Sequence, residues 1–204
     1  PRPVPGPGEV LVRVEACGLN HLDLWPRRGL PGRRVPFPHV LGNEPVGRVV
    51  EPGAGVESPA LGSRVIVSPG QLERFHADRS GWDARWDDYR VIGSRGPGGY
   101  AEFVKLPAQN CFHIPERLGY PEACVVARHF PTAFYQLRVR AELKAGEWLL
   151  VMGAAGGLGA CLVQVGKLMG AKVIGAAGAD ERVKMARELG ADYGVNYRRQ
   201  DLAA

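Results

Sequence analysis

The sequence predicts two successive folds, an all-β body followed by an α/β unit with a parallel sheet. In the first half, short segments alternate apolar and polar residues and are separated by Gly and Pro turns. After about Pro121, compact apolar runs alternate with helical patterns. Period-two alternation suits half-buried strands, whereas strands separated by helices of this length pair in parallel. We therefore predict one domain over residues 1–122 and a second, partial domain over residues 123–204.

The first domain is predicted to form a small, closed β body. Its predicted strands cover residues 9–16, 45–51, 62–68 and 100–106. Residues 71–95 are rich in Trp, Asp and Arg and show no periodicity, which indicates an irregular excursion from the β body. Many short strands between Gly and Pro residues are typical of closed all-β architectures.

The second domain is predicted to alternate helices and strands. It begins with a helix over residues 122–140, interrupted at Pro131, which leads to an apolar strand over 147–152 that should be buried on both faces. The elements predicted next are a helix over 158–169, a buried strand over 172–176, an amphipathic helix over 180–189 ended by Gly190, and a strand that starts within 193–196.

A glycine-rich loop, GAAGGLG over residues 153–159, joins the first of these strands to its helix. Ala154, Gly156 and Gly159 match the three small residues of a dinucleotide-binding turn, which serve the tight turn, the approach of the backbone to pyrophosphate and the helix–strand packing. Pyrophosphate would lie at the helix N-terminus, where free N–H groups favour negative charge. Because strands flank this loop and helix, the pattern predicts a dinucleotide site, with a purely structural glycine turn as the alternative.

Composition argues against several other classes of protein. Hydrophobic residues make up 45% of the chain and charged residues 23%, which favours a folded protein over a disordered one. The net charge of +5 is scattered, which argues against nucleic-acid binding. Without a visible signal peptide or bilayer-spanning apolar run, we expect a cytoplasmic protein with no membrane partner. Cys17, Cys111, Cys124 and Cys161 form no closely spaced pair and are expected to be buried or half-buried free thiols.

The order of several motifs resembles the medium-chain dehydrogenase/reductase superfamily. GLNHLDLW over residues 18–25 precedes PFPHVLGNEPVGRVVEPGAGV over 36–56, and GSRV, GGYAEF, PTAFYQL and the glycine-rich loop follow in that order. The resemblance covers essentially the whole chain. It implies a GroES-like catalytic domain followed by a Rossmann dinucleotide-binding domain, and hence an oxidoreductase. Because members of this superfamily are longer, we expect an incomplete chain.

The chain departs from the zinc-dependent members at their metal-binding positions. The Cys, His and Cys ligands of the catalytic zinc correspond to Asn20, Asn43 and Arg128, and the segment of the structural zinc, residues 71–87, contains no Cys. Two amides and a guanidinium cannot supply the donors that catalytic zinc requires. The resemblance therefore implies a member similar to the zinc-free quinone oxidoreductases, and we expect no metal.

Four residues are expected to be catalytic. Without zinc, reduction of a double bond conjugated to a carbonyl needs hydrogen-bond donors at the carbonyl oxygen and a proton for carbon. Asn20, Asn43 and Arg128 can donate hydrogen bonds, and His21 can transfer protons near neutral pH. The alternatives are a packed or solvated His21 and an Arg128 that turns outward or pairs with an acid.

The end of the second Rossmann strand predicts the choice of cofactor. Residues 174–178 contain no acid that would accept a hydrogen bond from the ribose, as NAD sites require. By resemblance to the zinc-free reductases, Gly178 marks the strand end, while Arg182 and Tyr197 contact the 2′-phosphate of NADPH. An ordinary surface position is the alternative for Arg182. The other residues expected to bind the cofactor are Thr132, Ala154, Ala155, Gly156, Gly157 and Leu158.

Together these features predict an NADPH-dependent oxidoreductase of quinones, enones or enoyl thioesters, for which NADH is the weaker cofactor. Two alternatives stay open. One is an alcohol or aldehyde dehydrogenase with an atypical site, and the other is a nucleotide-binding relative without turnover. The expected partners are a small-molecule substrate and, in the full-length protein, further copies of the chain in a dimer or tetramer.

Overall fold

The computed structural model describes residues 2–29, 35, 37–72, 89–94 and 96–201. The chain forms two compact units, Pro1–Arg128 and His129–Ala204, which divide within a long helix, α2 (Tyr120–Phe134). The division predicted from sequence at residues 122 and 123 lies in an earlier turn of the same helix.

The first unit is built on an antiparallel sheet. Its described strands are β1 (Glu9–Gly18), β2 (Glu44–Pro52), β3 (Arg64–Val67), β4 (Gly70–Leu72), β5 (Tyr89–Val91), β6 (Phe103–Pro107) and β7 (Cys111–His113). Five of them form one sheet in the order β6-β1-β2-β3-β7. Val10 and Val12 share one face of the sheet because alternate side chains of a strand point the same way, and they are buried with Val49 of β2 in its core.

The four strands predicted for this unit are confirmed as β1, β2, β3 and β6, although β6 begins at Phe103 rather than at Tyr100. Most of the predicted excursion, residues 73–88 and 95, lies outside the described residues. Where it is described, its two ends are not irregular: β4 and β5 pair as an antiparallel ribbon. That pairing joins distant residues, and local periodicity does not report it.

A short helix that the sequence pattern did not predict, α1 (His21–Arg28), follows β1. Asn20 precedes it with an extended backbone, and Asp23 lies in its first turn, where a carboxylate is favourable. Pro26 lies within this helix, and because proline usually interrupts a helix, the segment was not predicted to be helical. This helix carries part of the candidate site.

The second unit contains a three-stranded parallel sheet in the order β10-β9-β8. Helix α2 passes through Pro131 and continues as a π-helical segment, Tyr135–Arg140, so the predicted interruption at Pro131 is absent. The elements that follow are β8 (Trp148–Met152), α3 (Gly157–Leu168), β9 (Lys172–Ala177), α4 (Asp180–Glu188) and β10 (Tyr193–Asn196), as the sequence predicts. Among the described residues, no helix has the length and apolar character needed to cross a membrane.

The prediction that the first strand of this sheet is buried on both faces is wrong. Val151 is buried in a core shared with Val163 of α3 and Val173 of β9. On the opposite face of β8, Trp148, Leu150 and Met152 are 55%, 49% and 53% exposed. The apolar run identifies the strand, whereas burial of its second face depends on what packs there.

Candidate functional site

A buried carboxylate, Asp23, lies at the centre of a polar cluster in the first unit. The residue is only 6% exposed. Its Oδ1 accepts hydrogen bonds from Asn43 Nδ2 at 3.1 Å and from the Gly42 N–H at 3.3 Å. Its Oδ2 accepts from the Asn20 N–H at 2.8 Å and from the Tyr100 hydroxyl at 2.7 Å. Donors therefore surround both oxygens, as a buried carboxylate requires.

Arg128 extends this polar cluster. Its Nη1 donates to Asn43 Oδ1 at 2.8 Å, and Asn20 Nδ2 lies 3.4 Å from the same oxygen. The structure thus joins Asn20, Asn43 and Arg128 through hydrogen bonds, although they are far apart in the sequence. Asn43 is 1% exposed, whereas Asn20 and Arg128 are half-buried. Part of the surface of Asn20 and Arg128 is therefore accessible, whereas almost none of Asn43 is.

Local structure explains how these side chains meet. The Asp23 carboxylate reaches back to the Asn20 N–H at the start of α1, a contact that caps the helix. Asn43 directly precedes β2. Gly42 has a φ of 95°, and a Cβ at this position would lie 2.8 Å from the Tyr100 backbone nitrogen. Only glycine fits there, so Gly42 allows Tyr100 to approach Asp23.

Tyr100 is the donor in its contact with Asp23. Burial, the hydrogen bond to Asp23 and the negative charge of that carboxylate raise the pKa of Tyr100 well above its ordinary value. The phenol therefore stays protonated across the physiological range. Neither Asp23 nor Tyr100 was predicted as a site residue, although GLNHLDLW and GGYAEF, the motifs that contain them, were recognised.

Two histidines of the first unit, His21 and His39, have different surroundings. His21 is exposed at the first position of α1. Among the residues that the structure describes, no hydrogen bond connects His21 to the polar cluster, so its catalytic role stays a prediction. His39 Nε2 lies 3.0 Å from the Gly93 carbonyl oxygen and thus makes a loop contact.

Zinc does not fit the side chains at the positions of the catalytic ligands. The Asn43 oxygen accepts a hydrogen bond from Arg128, and a guanidinium repels a cation. Within the described part of the chain, no group of three or more His, Cys, Asp or Glu residues could hold a metal ion. Most of the segment that corresponds to the structural zinc lies outside the described residues.

Three of the four thiols, Cys17, Cys111 and Cys124, are poor metal ligands and nucleophiles. Cys17 and Cys111 are half-buried and Cys124 and Cys161 are buried, which confirms the prediction from sequence. Burial raises the pKa of Cys17 and of Cys111 to about 12 and that of Cys124 to about 11. At neutral pH these three thiols carry almost no thiolate, the form that binds metals and reacts.

In the second unit, the glycine-rich loop connects β8 to α3, as predicted. Gly153 has a φ of 64°, and Gly156 precedes α3 with an extended backbone. A Cβ on Gly159 would collide with the Gly153 carbonyl oxygen, so glycine allows the helix to pack closely on the loop. Ala154 is fully buried, while Ala155 and Leu158 are half-buried. This geometry fits the pyrophosphate of a dinucleotide at the N-terminus of α3.

The ring of His129 lies against the start of α3. A Cβ on Gly157 would lie 2.9 Å from His129 Nε2, so glycine provides the space for this ring. The preceding residue, Arg128, donates to Asn43 Oδ1. Thr132, a predicted cofactor ligand, is half-buried within α2.

The carboxyl end of β9 lies beside two residues that follow β10. A Cβ on Gly178 would lie 2.9 Å from the Tyr197 hydroxyl and 3.2 Å from Arg198 Nε. The structure therefore brings Gly178 and Tyr197 together, as the prediction requires, and adds Arg198. The sequence signal for Arg198 was the run YRR over residues 197–199, which was not singled out. Arg182 is exposed in the first turn of α4.

The acid nearest to this strand end, Asp180, already has partners. Its carboxylate accepts hydrogen bonds from Asn196 Nδ2 and, at 2.6 Å, from Arg199 Nη1. These contacts hold Asp180 against the end of β10 and a residue that follows it. Asp180 therefore differs from an acid placed at the strand end to receive a ribose hydroxyl.

Comparison with known proteins identifies the family. Residues 6–116 match the family described as alcohol dehydrogenase GroES-like domain, and residues 157–204 match that described as zinc-binding dehydrogenase. The chain belongs to the medium-chain dehydrogenase/reductase superfamily. This result confirms the predicted family and its combination of a GroES-like domain with a Rossmann-type sheet. The zinc-binding dehydrogenase match does not include Asn20, Asn43 or Arg128.

Relatives of this dehydrogenase/reductase chain carry different names. It is 35% identical to an alcohol dehydrogenase of Geobacillus stearothermophilus over 198 residues, which cover 96% of the chain and 58% of the relative. The structure of an NAD-dependent alcohol dehydrogenase matches with a TM-score of 0.93 and 39% identity, over 98% of the chain and 59% of that protein. Escherichia coli quinone oxidoreductase in complex with NADPH matches with a TM-score of 0.78 and 28% identity, over 97% and 53%. The chain thus spans somewhat more than half the length of these relatives.

Proposed function

We propose that the full-length protein is an NADPH-dependent reductase of quinones, enones or enoyl thioesters that works without zinc. The hydrogen bond of 2.8 Å between Arg128 Nη1 and Asn43 Oδ1 carries the proposal. It holds a guanidinium at one of the positions where the resemblance assigns a zinc ligand. A permanent cation anchored by a buried amide can stabilise negative charge on an oxygen atom, which is a task of the metal in zinc enzymes.

The residues of the polar cluster have distinct roles in this proposal. The nicotinamide cofactor, when bound, supplies a hydride to the β-carbon of the conjugated acceptor. Arg128 and Asn20 donate hydrogen bonds to the carbonyl oxygen as negative charge builds on it. His21, which is exposed at the start of α1, delivers a proton to the α-carbon. The acceptor gains one hydride and one proton, and the carbonyl oxygen recovers its neutral state.

NADPH is the proposed cofactor because of the residues at the carboxyl end of β9. Gly178 leaves space for the Tyr197 hydroxyl and for Arg198. Together with Arg182, these side chains supply a phenol and two guanidiniums for the 2′-phosphate. The glycine-rich loop and the first turn of α3 hold the pyrophosphate. The quinone oxidoreductase of Escherichia coli, solved with NADPH, supports this choice.

An alcohol dehydrogenase that uses NAD is the second candidate. The observation in its favour is the name of similar proteins, among them an NAD-dependent alcohol dehydrogenase of Sulfurisphaera tokodaii that is 33% identical over 210 residues. Such an enzyme would need another means of polarising the alcohol oxygen, because the described side chains at the zinc positions do not suit zinc. Arg128 is the residue that would serve in its place.

The decisive experiment uses the full-length protein. Binding of NADPH and NADH is measured by calorimetry, and reduction of a panel of quinones, enones and enoyl thioesters is followed by loss of cofactor absorbance, with and without a chelator. We expect NADPH-dependent reduction that the chelator does not change. Stoichiometric zinc together with alcohol oxidation would favour the second candidate, and NADPH binding without reduction of any acceptor would favour a non-catalytic relative. Size-exclusion chromatography of the same sample tests the expected dimer or tetramer.

A further inference from the structure

The Asn43 amide has an orientation that its neighbours dictate. An ionised carboxylate only accepts hydrogen bonds and a guanidinium only donates them. Asn43 lies between the two, with Nδ2 3.1 Å from Asp23 Oδ1 and Oδ1 2.8 Å from Arg128 Nη1. The amide must therefore turn its NH2 group to Asp23 and its oxygen to Arg128. With its NH2 group on the Asp23 carboxylate, Asn43 presents its oxygen, an acceptor, to the guanidinium of Arg128.

We propose that Asp23 is a positioning residue that acts on Arg128 through the amide of Asn43. The carboxylate determines which end of the amide faces Arg128, and the amide oxygen then holds the guanidinium. Asn43 is 1% exposed and Asp23 is 6% exposed, so water does not readily replace either partner. The proposal deepens the proposed function, on which its kinetic consequences rest.

The substitution Asp23→Asn reverses this polarity while keeping the shape of the side chain. If the new amide turns its oxygen to Asn43, its NH2 group faces the Asn20 N–H, and two donors oppose each other. If it turns its NH2 group to Asn43, the amide of Asn43 must flip and present its own NH2 group to Arg128. The two contacts at Oδ2, from the Asn20 N–H at 2.8 Å and the Tyr100 hydroxyl at 2.7 Å, are shorter than those at Oδ1, at 3.1 and 3.3 Å. We therefore expect the new amide to keep its oxygen at Oδ2 and Asn43 to flip, which removes the hydrogen bond between Asn43 and Arg128.

Tyr100→Phe is the matched control. Tyr100 donates to Asp23 Oδ2 at 2.7 Å, on the side of the carboxylate away from Asn43. Its hydroxyl can be removed without changing the acceptor that Asn43 meets at Oδ1. A general loss of stability around Asp23 would affect both variants, whereas a loss of amide orientation would affect only Asp23→Asn.

The test combines structure determination with a double-mutant cycle in the full-length protein. In Asp23→Asn we expect the contact between Arg128 and Asn43 to be broken, and kcat to fall about 100-fold, the usual cost of removing a preorganised donor. Adding Asp23→Asn to Arg128→Met should cause little further loss of kcat, because Asp23→Asn displaces the guanidinium that Arg128→Met has already removed. Tyr100→Phe should keep the contact, and its kcat should stay at least about tenfold above that of Asp23→Asn. If Asp23→Asn does not fold, Asn43→Leu breaks the same connection with a side chain of similar volume.

Each result has a definite meaning. An unchanged contact between Arg128 and Asn43 in Asp23→Asn, or an equal loss of kcat in the presence and absence of Arg128, would overturn the inference. A broken contact with normal kcat would support the positioning by Asp23 and would instead refute the catalytic role of Arg128. The structural readout thus separates failure of the inference from failure of the proposed function.

Discussion

Replacing Arg198 by Ala tests how the protein would recognise the 2′-phosphate of NADPH. Arg198 Nε lies 3.2 Å from the position that a Cβ of Gly178 would occupy, so its guanidinium flanks the end of β9. A charge-assisted hydrogen bond to phosphate contributes about 1.5–3 kcal/mol, which corresponds to roughly 10- to 150-fold in Kd. Arg198 is exposed, and screening by solvent reduces the effect, so we expect about a tenfold weaker Kd for NADPH.

The assay is a comparison of the two cofactors in the full-length protein at fixed ionic strength. NADH lacks the 2′-phosphate, so its Kd should change less than about twofold in Arg198→Ala. Arg187→Ala is the control, because Arg187 is an exposed arginine in the last turn of α4, whereas Arg182 lies in the first turn. The preference for NADPH should shrink as salt rises from about 0.05 to about 0.5 M.

Two results would refute this reasoning. Equal Kd values for NADPH and NADH in the unchanged protein would show that the phosphate is not recognised. A preference that survives both Arg182→Ala and Arg198→Ala would show that these two arginines do not recognise the phosphate. Tyr197→Phe then measures what the neutral hydroxyl contributes on its own.

Three other perturbations have defined outcomes. Arg128→Met in the full-length protein should lower kcat about 100-fold or more with nearly unchanged affinity for NADPH. Normal turnover would mean that Arg128 is structural. A loss of turnover that is accompanied by a loss of thermal stability would mean that Arg128 mainly stabilises the fold. Burial raises the pKa of Cys17 to about 12 and that of Cys124 to about 11. At pH 8, alkylation of these two thiols should therefore be at least about 100-fold slower than that of an unfolded thiol, and the alkylation rate should rise with pH as thiolate forms. Equal alkylation rates before and after unfolding would contradict this. Leu150 is 49% exposed. In the 204-residue chain, Leu150→Thr should therefore reduce binding of a hydrophobic dye and change the free energy of unfolding by less than about 0.5 kcal/mol. A loss of several kcal/mol in the free energy of unfolding would show that the Leu150 side chain is buried.

Local patterns predicted most of the elements because they depend on near neighbours. Period-two alternation identified β1, and the helical pattern closed by Gly190 identified α4. Helix α1 was missed because it is short and contains Pro26, which resembles a helix break. The burial predicted for both faces of β8 was wrong. Leu150 is as apolar as a core residue and yet is exposed, because an apolar pattern does not specify whether another element packs on that face. Periodicity depends on the segment alone, whereas burial also depends on the residues that pack against the segment.

The sequence by itself determined the glycine-rich loop, which follows from residue type and spacing. Through the resemblance that its motifs carry, it also indicated the family and the three residues at the zinc positions. Only the tertiary structure decided how those three residues are connected. Asp23 and Tyr100 are 77 positions apart, and Asn43 and Arg128 are 85 apart, yet each pair shares a hydrogen bond. A hydrogen bond requires donor and acceptor within about 3 Å at a suitable angle. Whether distant side chains meet this condition depends on how the whole unit packs, and no spacing in the sequence specifies it.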